Sequence, residues 1–310
     1  MQNQHRSRRW RTLAVVAAVG VLALAGCSDK KSDGGSSSDG DSGSSTAVRI
    51  SSQDFSEQKT LAQVYGQYLK DQGFDVTIQD PIGTRTQIFA ALKKGSVDLV
   101  LDYQASATVE LKGKGSSDAD ETYKTLTGLL EKDDLAAADK AEAQDANALT
   151  ALKSWADENE VTKISDLADL DGPLTLGGAP ECAERPDCLL GYQGTYGLKD
   201  LKFTAVDYGP PLVAALKADE IQLAQYGTTA PEISDGTIVA LEDDKGLQNA
   251  ENVVPIYRSS IASDKLTKAL NAISAKLTTK DLAEWNQATD VDKEDPADVA
   301  QKWLEDNGFL

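Results

Sequence analysis

VRISSQDFSEQKTLAQVYGQYLKDQGFDVTIQDPIGTRTQIFAALKKGSVDLVL, residues 48–101, carries the reading of the fold. Val48 to Ser51 is a short β-rich run, and the loop Ser52 to Phe55 follows it. Ser56 can cap a helix on which Leu61, Val64, Tyr65 and Leu69 recur at helical spacing, and Gly73 stops that helix. Phe74 to Ile78 alternates like a strand, Thr86 to Lys94 reads as a helix ending at Gly95, and Val97 to Leu101 as a buried strand. The order βαβαβ predicts an α/β fold, a parallel sheet covered by helices.

The same order returns downstream. Leu174 to Leu176 is a strand leading into Gly177-Gly178, Leu189 to Tyr196 a short helix, Leu201 to Val206 a strand, Leu212 to Ala218 a helix and Ile221 to Ala224 a strand. Ala91-Leu92-Lys93-Lys94-Gly95-Ser96-Val97-Asp98-Leu99 aligns with Ala215-Leu216-Lys217-Ala218-Asp219-Glu220-Ile221-Gln222-Leu223. The first copy runs on to Tyr103 and the second to Tyr226, offset by one position. Two such modules predict two lobes with a cleft between them. Ligands of open parallel sheets bind outside the carboxyl ends of the strands, where this reading puts both tyrosines. Val253 to Tyr257 and the helices within residues 263–308 are expected to return to the first lobe, with Leu266, Leu270, Ile273 and Leu277 on the packing face. Trp285 and Trp303 read as core anchors.

The start of the chain reads as an address. His5, Arg6, Arg8, Arg9 and Arg11 precede the apolar run Leu13 to Ala25, and Leu24-Ala25-Gly26-Cys27 closes it. A basic start, a short apolar run and small residues before a cleavage point make a secretory signal, and the run is short for a membrane span. Leu-Ala-Gly-Cys resembles the lipobox of bacterial lipoproteins, in which the cysteine, here Cys27, bears the lipid. Ser28 to Thr46 is almost entirely Gly, Ser, Asp and Lys and reads as a flexible tether. The expected organisation is a signal over 1–26, the lipidated cysteine and linker over 27–47, the first part of lobe 1 over 48–146, lobe 2 over 147–227, and a return to lobe 1 with C-terminal helices over 228–310. The expected location is extracytoplasmic, on the cell membrane.

Composition removes several function classes. Cleavage at Cys27 leaves 27 basic against 50 acidic residues, a net −23, which argues against nucleic acid and anionic lipid as partners. His5 is the only histidine, so the mature chain cannot use a histidine base, a histidine triad or His-ligated zinc. There is no Gly-x-Ser-x-Gly elbow and no phosphate loop, so no enzyme, cofactor or metal is expected. Cys182 and Cys188, a lone pair close in sequence in an exported chain, read as a disulfide.

Several stretches together resemble the osmoprotectant-binding proteins of ABC importers, which carry glycine betaine, choline, carnitine and related solutes. They are Ser51-Ser52-Gln53-Asp54-Phe55-Ser56-Glu57-Gln58, Gly83-Thr84-Arg85, Ala91 to Tyr103, Ile164-Ser165-Asp166-Leu167, Leu174 to Cys188, Tyr196-Gly197-Leu198, and Leu241-Glu242-Asp243-Asp244-Lys245-Gly246. The resemblance covers nearly all of residues 48–310 and implies the type II periplasmic-binding fold, a monomer that closes two lobes on a small solute and delivers it to permease subunits. It implies aromatic recognition of a quaternary ammonium, which attracts π-faces and donates no hydrogen bond. Tyr103 and Tyr226 fall on aromatic positions of the family, Thr228 just after the second, Ser106 on a small hydroxyl position, and Gln53 and Phe55 in a loop that faces the cleft. Asn147 stands where many members have a cage tyrosine, which leaves open a more polar solute such as a polyol or amino acid. Arg185 matches a common arginine and reads either as a carboxylate contact or as a brace for the disulfide loop. Tyr192 and Tyr208 read as packing or surface tyrosines, and Arg85 and Arg258 as structural. A ligand-sensing lipoprotein without an importer would share these features.

Overall fold

The structure, a computed structural model, describes residues 47–310. The expected signal, the lipid attachment at Cys27 and all but the last residue of the linker lie outside the described residues.

Ten strands run in the order β1 Ala47–Ile50, β2 Asp75–Ile78, β3 Leu99–Tyr103, β4 Leu135–Ala137, β5 Asn147–Leu152, β6 Thr175–Gly178, β7 Lys202–Ala205, β8 Leu223–Gly227, β9 Ile238–Ala240 and β10 Val253–Arg258. They form two five-stranded sheets, β2-β1-β3-β10-β4 and β7-β6-β8-β5-β9. In the first, β1 is parallel to β2 and β3, and β10 runs antiparallel to β3 and β4. In the second, β6 is parallel to β7 and β8, and β5 runs antiparallel to β8 and β9. Each lobe is thus one βαβαβ module closed by an antiparallel strand. Because β9 pairs with β5, the return to the first sheet comes after Ala240 and not at residue 228.

The internal repeat is visible in the hydrogen bonds. Leu99 and Leu223 each open the third strand of a module and each pair with its first strand, at Ile50 and Leu176. Gly95 and Asp219, aligned in sequence, both take positive φ, 75° and 57°, where glycine and aspartate are among the residues that fit most readily. Asp98 Oδ2 accepts from the Arg49 amide at 3.0 Å, and Gln222 Oε1 accepts from the Thr175 amide at 3.1 Å. The left-handed turn uses up two more residues before each strand begins, so β3 and β8 start at Leu99 and Leu223 and not at Val97 and Ile221. The offset between Tyr103 and Tyr226 also has a consequence. Side chains alternate along a strand, so the two rings leave their modules on opposite faces. Tyr103 packs with Leu99 and Leu101 under the helix Ser56–Asp71, and Tyr226 packs with Ala224 under the helix Pro210–Lys217.

The helix Ser56–Asp71 begins at Phe55 without a side-chain cap. Ser56, expected to cap it, instead donates to Asp290 from the C-terminal part of the chain. Leu266, Leu270, Ile273 and Leu277 are buried in the first lobe's core, as are Trp285 and Trp303, whose rings meet edge to face at 5.6 Å. The C-terminal helices therefore pack on the first lobe.

Cys182 and Cys188 are bonded, with their Cα atoms 5.3 Å apart. Both are buried, and Gln248 Nε2 donates to the Asp187 carbonyl at 2.8 Å, tying this loop to the chain that returns to the first sheet. Closing so short a loop is worth about 2 kcal/mol by the chain-entropy relation. Replacing both cysteines by serine is expected to lower stability in urea by about that amount. Mass spectrometry of the untreated protein is expected to find no free thiol, and alkylation at both positions in the native protein would show the pairing to be wrong.

Candidate functional site

Glu57 lies in the first turn of the helix that follows β1 and is 2% exposed. It accepts a hydrogen bond from the Tyr103 hydroxyl and another from Asn286 Nδ2 at 2.7 Å. Asn286, on the helix Thr279–Asn286, also donates to the Thr229 carbonyl at 2.9 Å, and Thr229 Oγ1 donates to Asp145 Oδ1 at 3.0 Å. Thr229 follows β8, while Asp145 lies on the chain crossing from lobe 1 to lobe 2. A Cβ built on Gly227 would stand 3.2 Å from Tyr208 Oη and 3.5 Å from Asp145 Oδ1, so glycine lets the backbone pass between them. Tyr208 stacks on Tyr226 at 4.7 Å with 20° between the rings, and Tyr226 Oη donates to Glu232 Oε1 at 3.3 Å. The lobes touch here, the helix Pro231–Ser234 against Thr279–Asn286. Contacts thus run from Tyr103 of one lobe through Glu57, Asn286 and Thr229 to Asp145, beside Gly227 of the other lobe, where Tyr208, Tyr226 and Glu232 adjoin.

Among the described residues, none of Glu57, Asp145 and Glu232 is in an ion pair. Burial, with Asp145 nearby, pushes the Glu57 carboxyl up to about 7. Burial also raises Asp145. Desolvation disfavours the charged form of Glu57 and of Asp145, and among the described residues no Lys or Arg pairs with either to offset it.

A cavity of about 410 Å³ opens elsewhere, lined by Arg85, Ser106, Asn147, Arg185 and Glu251 among others, without an aromatic ring. Three of its charged side chains already have partners. Arg85 Nε lies 3.0 and 2.9 Å from the two oxygens of buried Asp102. Ser106 Oγ donates to Glu251 Oε1 at 2.7 Å, and the amides of Ala105 and Ser106 donate to Glu251 Oε2. Arg185 pairs with Asp187.

The eight residues singled out from sequence therefore fall in different places. Tyr103 and Tyr226 join the carboxylate cluster. Ser106, Asn147 and Arg185 border the polar cavity. Thr228 accepts from the Ala146 amide and donates to the Gln144 carbonyl, both at 3.0 Å, which braces the crossing chain. Gln53 bridges to Gly83 as an isolated β-pair, and Phe55 is 40% exposed at the start of its helix. Glu57, Asp145, Glu232 and Asn286 were not singled out. Glu57 could have been, since it lies only two residues past the loop expected to face the cleft. Tyr208 is a surface tyrosine, 62% exposed, yet it forms one wall of the cluster. Tyr192 is a packing tyrosine, fully buried with its hydroxyl on Gln225 Oε1 at 2.7 Å.

A family model described as the substrate binding domain of ABC-type glycine betaine transport systems matches residues 46–306. The chain is 26% identical to the glycine-betaine-binding protein of Pseudomonas aeruginosa over 276 residues, 85% of this chain and 88% of that one. It is 23% identical to the glycine betaine-binding protein YehZ of Escherichia coli over 278 residues, 84% of this chain and 91% of that one. The solved structure of YehZ from Escherichia coli without ligand superposes with a TM-score of 0.77 at 21% identity, covering 85% of this chain and 99% of that one. A crystal structure described as a glycine betaine/carnitine/choline ABC transporter gives 0.76 at 19% identity, covering 84% and 99%. The fold is that of the type II periplasmic-binding proteins.

Proposed function

The chain belongs to the family of substrate-binding domains of ABC-type glycine betaine transport systems, and from that premise we propose that its solute is a quaternary amine held between Tyr103 of lobe 1 and the stacked Tyr208–Tyr226 pair of lobe 2. As a member of that family the chain is the extracytoplasmic substrate-binding component of an ABC importer. One observation carries the choice of site: a tyrosine of each lobe donates to a carboxylate, Tyr103 to Glu57 and Tyr226 to Glu232, that has no cationic partner among the described residues. Aromatic faces and uncompensated negative charge both attract a methylated ammonium, each ring contributing roughly 0.5–2 kcal/mol. The protein catalyses no reaction on the solute, acts as a monomer, and passes the solute to permease subunits from a lipid anchor at Cys27, the residue that closes the lipobox-like Leu24 to Cys27.

The polar cavity supports a second reading, a hydrophilic solute without aromatic recognition, because its lining carries both charge signs and no ring. Calorimetry separates the two. Tyr103→Ala and Tyr226→Ala are each expected to weaken binding of the preferred quaternary amine about 5–150-fold, and Tyr→Phe much less, since the π-face survives. Unchanged affinity in both alanine variants, with loss of binding in Asn147→Ala, would move the site to the polar cavity.

A further inference from the structure

Asn286 divides its side-chain amide between the lobes. Its Nδ2 donates to Glu57 Oε2 at 2.7 Å, on the first helix of lobe 1, and to the Thr229 carbonyl at 2.9 Å, just past β8 of lobe 2. Thr229 Oγ1 carries the seam on to Asp145 Oδ1, on the crossing chain. Glu57, Asn286 and Thr229 are all buried. Around them the helix Pro231–Ser234 of lobe 2 packs on the helix Thr279–Asn286 and on the π-helical turn Gln287–Val291 that ends it. Such single turns concentrate at functional sites. The seam thus buries one carboxylate of lobe 1 and one of the crossing chain, and their hydrogen-bond partners among the described residues are neutral donors.

We infer that this seam is a proton-operated latch: with a proton on Glu57 the empty lobes stay joined through Asn286, and with Glu57 and Asp145 both ionised they part. The inference concerns the empty chain and stands whether the solute binds at the tyrosines or in the polar cavity. The groups facing Glu57 are Tyr103 from β3, Gln58 beside it, Asn286 from its helix, and Asp145 and Thr229 from the segments between the lobes, with Tyr208 and then Glu232 across the seam. None is basic. Lys59 of the same helix pairs with Asp54, and Asp290 of the π-helical turn receives the Ser56 hydroxyl while its carbonyl receives the Lys293 ammonium. Ionising Glu57 therefore sets two carboxylates against each other in a seam that holds little water, and parting the lobes hydrates both. Joined, Glu57 keeps its proton up to about pH 7, against an ordinary 4.5 in water. The joined form binds the proton more tightly, so its advantage is complete below about pH 4.5 and is lost as pH rises through 7. Solute enters between parted lobes, so capture is expected to weaken in acid.

Pulsed electron spin resonance tests this without any solute, with one label on each lobe at the exposed positions Lys94→Cys and Lys217→Cys of the full chain carrying Cys27→Ser. The ratio of joined to parted lobes is expected to fall roughly 50–100-fold between pH 5 and pH 9. Glu57→Gln keeps an acceptor for Tyr103 and Asn286 and is expected to hold the joined distance at both pH values. Asn286→Ala removes the bridge and is expected to show parted lobes already at pH 5, which decides the matter if Glu57→Gln does not fold. A distance distribution that is the same at pH 5 and pH 9 in the chain without these two changes overturns the inference. So does a shift with pH that survives Glu57→Gln, or an Asn286→Ala chain that stays joined at pH 5.

Discussion

Arg85→Met is expected to destabilise the protein by about 3–5 kcal/mol at pH 7, the cost of leaving a buried charge without its partner. Arg85 opens the helix Arg85–Lys94 and reaches across to Asp102, whose side chain is only 3% exposed. The Asp102 carboxylate has one further donor, the amide of Tyr103 at 2.8 Å. Burial already lifts its proton affinity although Arg85 opposes the shift. Glu251 lies close enough to draw on the same guanidinium. Methionine keeps much of the length and apolar body of the side chain, so the variant removes charge and not volume. Urea titrations measure the loss, which is expected to shrink toward pH 5 as Asp102 takes up a proton. A double variant, Arg85→Met with Asp102→Leu, is expected to recover most of it, because a well-packed apolar pair can replace a buried ion pair at little cost. A loss below about 1 kcal/mol in the single variant would mean that the pair is screened like one on the surface.

What the sequence made legible was local, and what it hid was relational. The helix-to-strand turn of each module is written in nine consecutive residues, so Ala91 to Leu99 and Ala215 to Leu223 revealed the repeat, and the structure adds a positive φ at both Gly95 and Asp219. The end of lobe 2 was misplaced because β9 is only three residues long and belongs there through pairing with β5, nearly ninety positions earlier. Ser56 carries a capping residue's chemistry, but a carboxylate 234 residues away claims its hydroxyl. The carboxylates of the candidate site were hidden by number. Glu57, Asp145 and Glu232 are three among 50 acidic residues; Glu57 had its place beside the cleft-facing loop to mark it, but nothing near Asp145 or Glu232 in sequence distinguishes a buried, unpaired carboxylate from a solvated one. Asn286 reaches Glu57 across 229 positions, a relation no spacing rule contains. Aromatic residues are scarcer, which is why Tyr103 and Tyr226 could be picked out while their partners could not.

The burial of Glu57 should be visible in stability before any solute is added. Its carboxyl holds a proton up to about pH 7 in the folded chain, against an ordinary value near 4.5. The folded state then binds the extra proton, so the stabilisation is fully present below about pH 4.5 and is lost as pH rises through 7. A shift of that size corresponds to something on the order of 3 kcal/mol between pH 4 and pH 8. Asp145 is raised by its own burial and pushes in the same direction. Elsewhere the trend is opposite, since Arg49 and Arg258 hold Asp98 below the usual carboxylate range and that pair loses strength in acid. The raw stability profile therefore mixes both signs, and the difference between two proteins isolates one. Glu57→Gln removes the titration while keeping an acceptor for Tyr103 and Asn286. Its stability in urea is expected to match the unaltered protein near pH 4–5 and to exceed it by up to about 3 kcal/mol at pH 8. Parallel curves across that range would mean that Glu57 is already ionised in the folded chain.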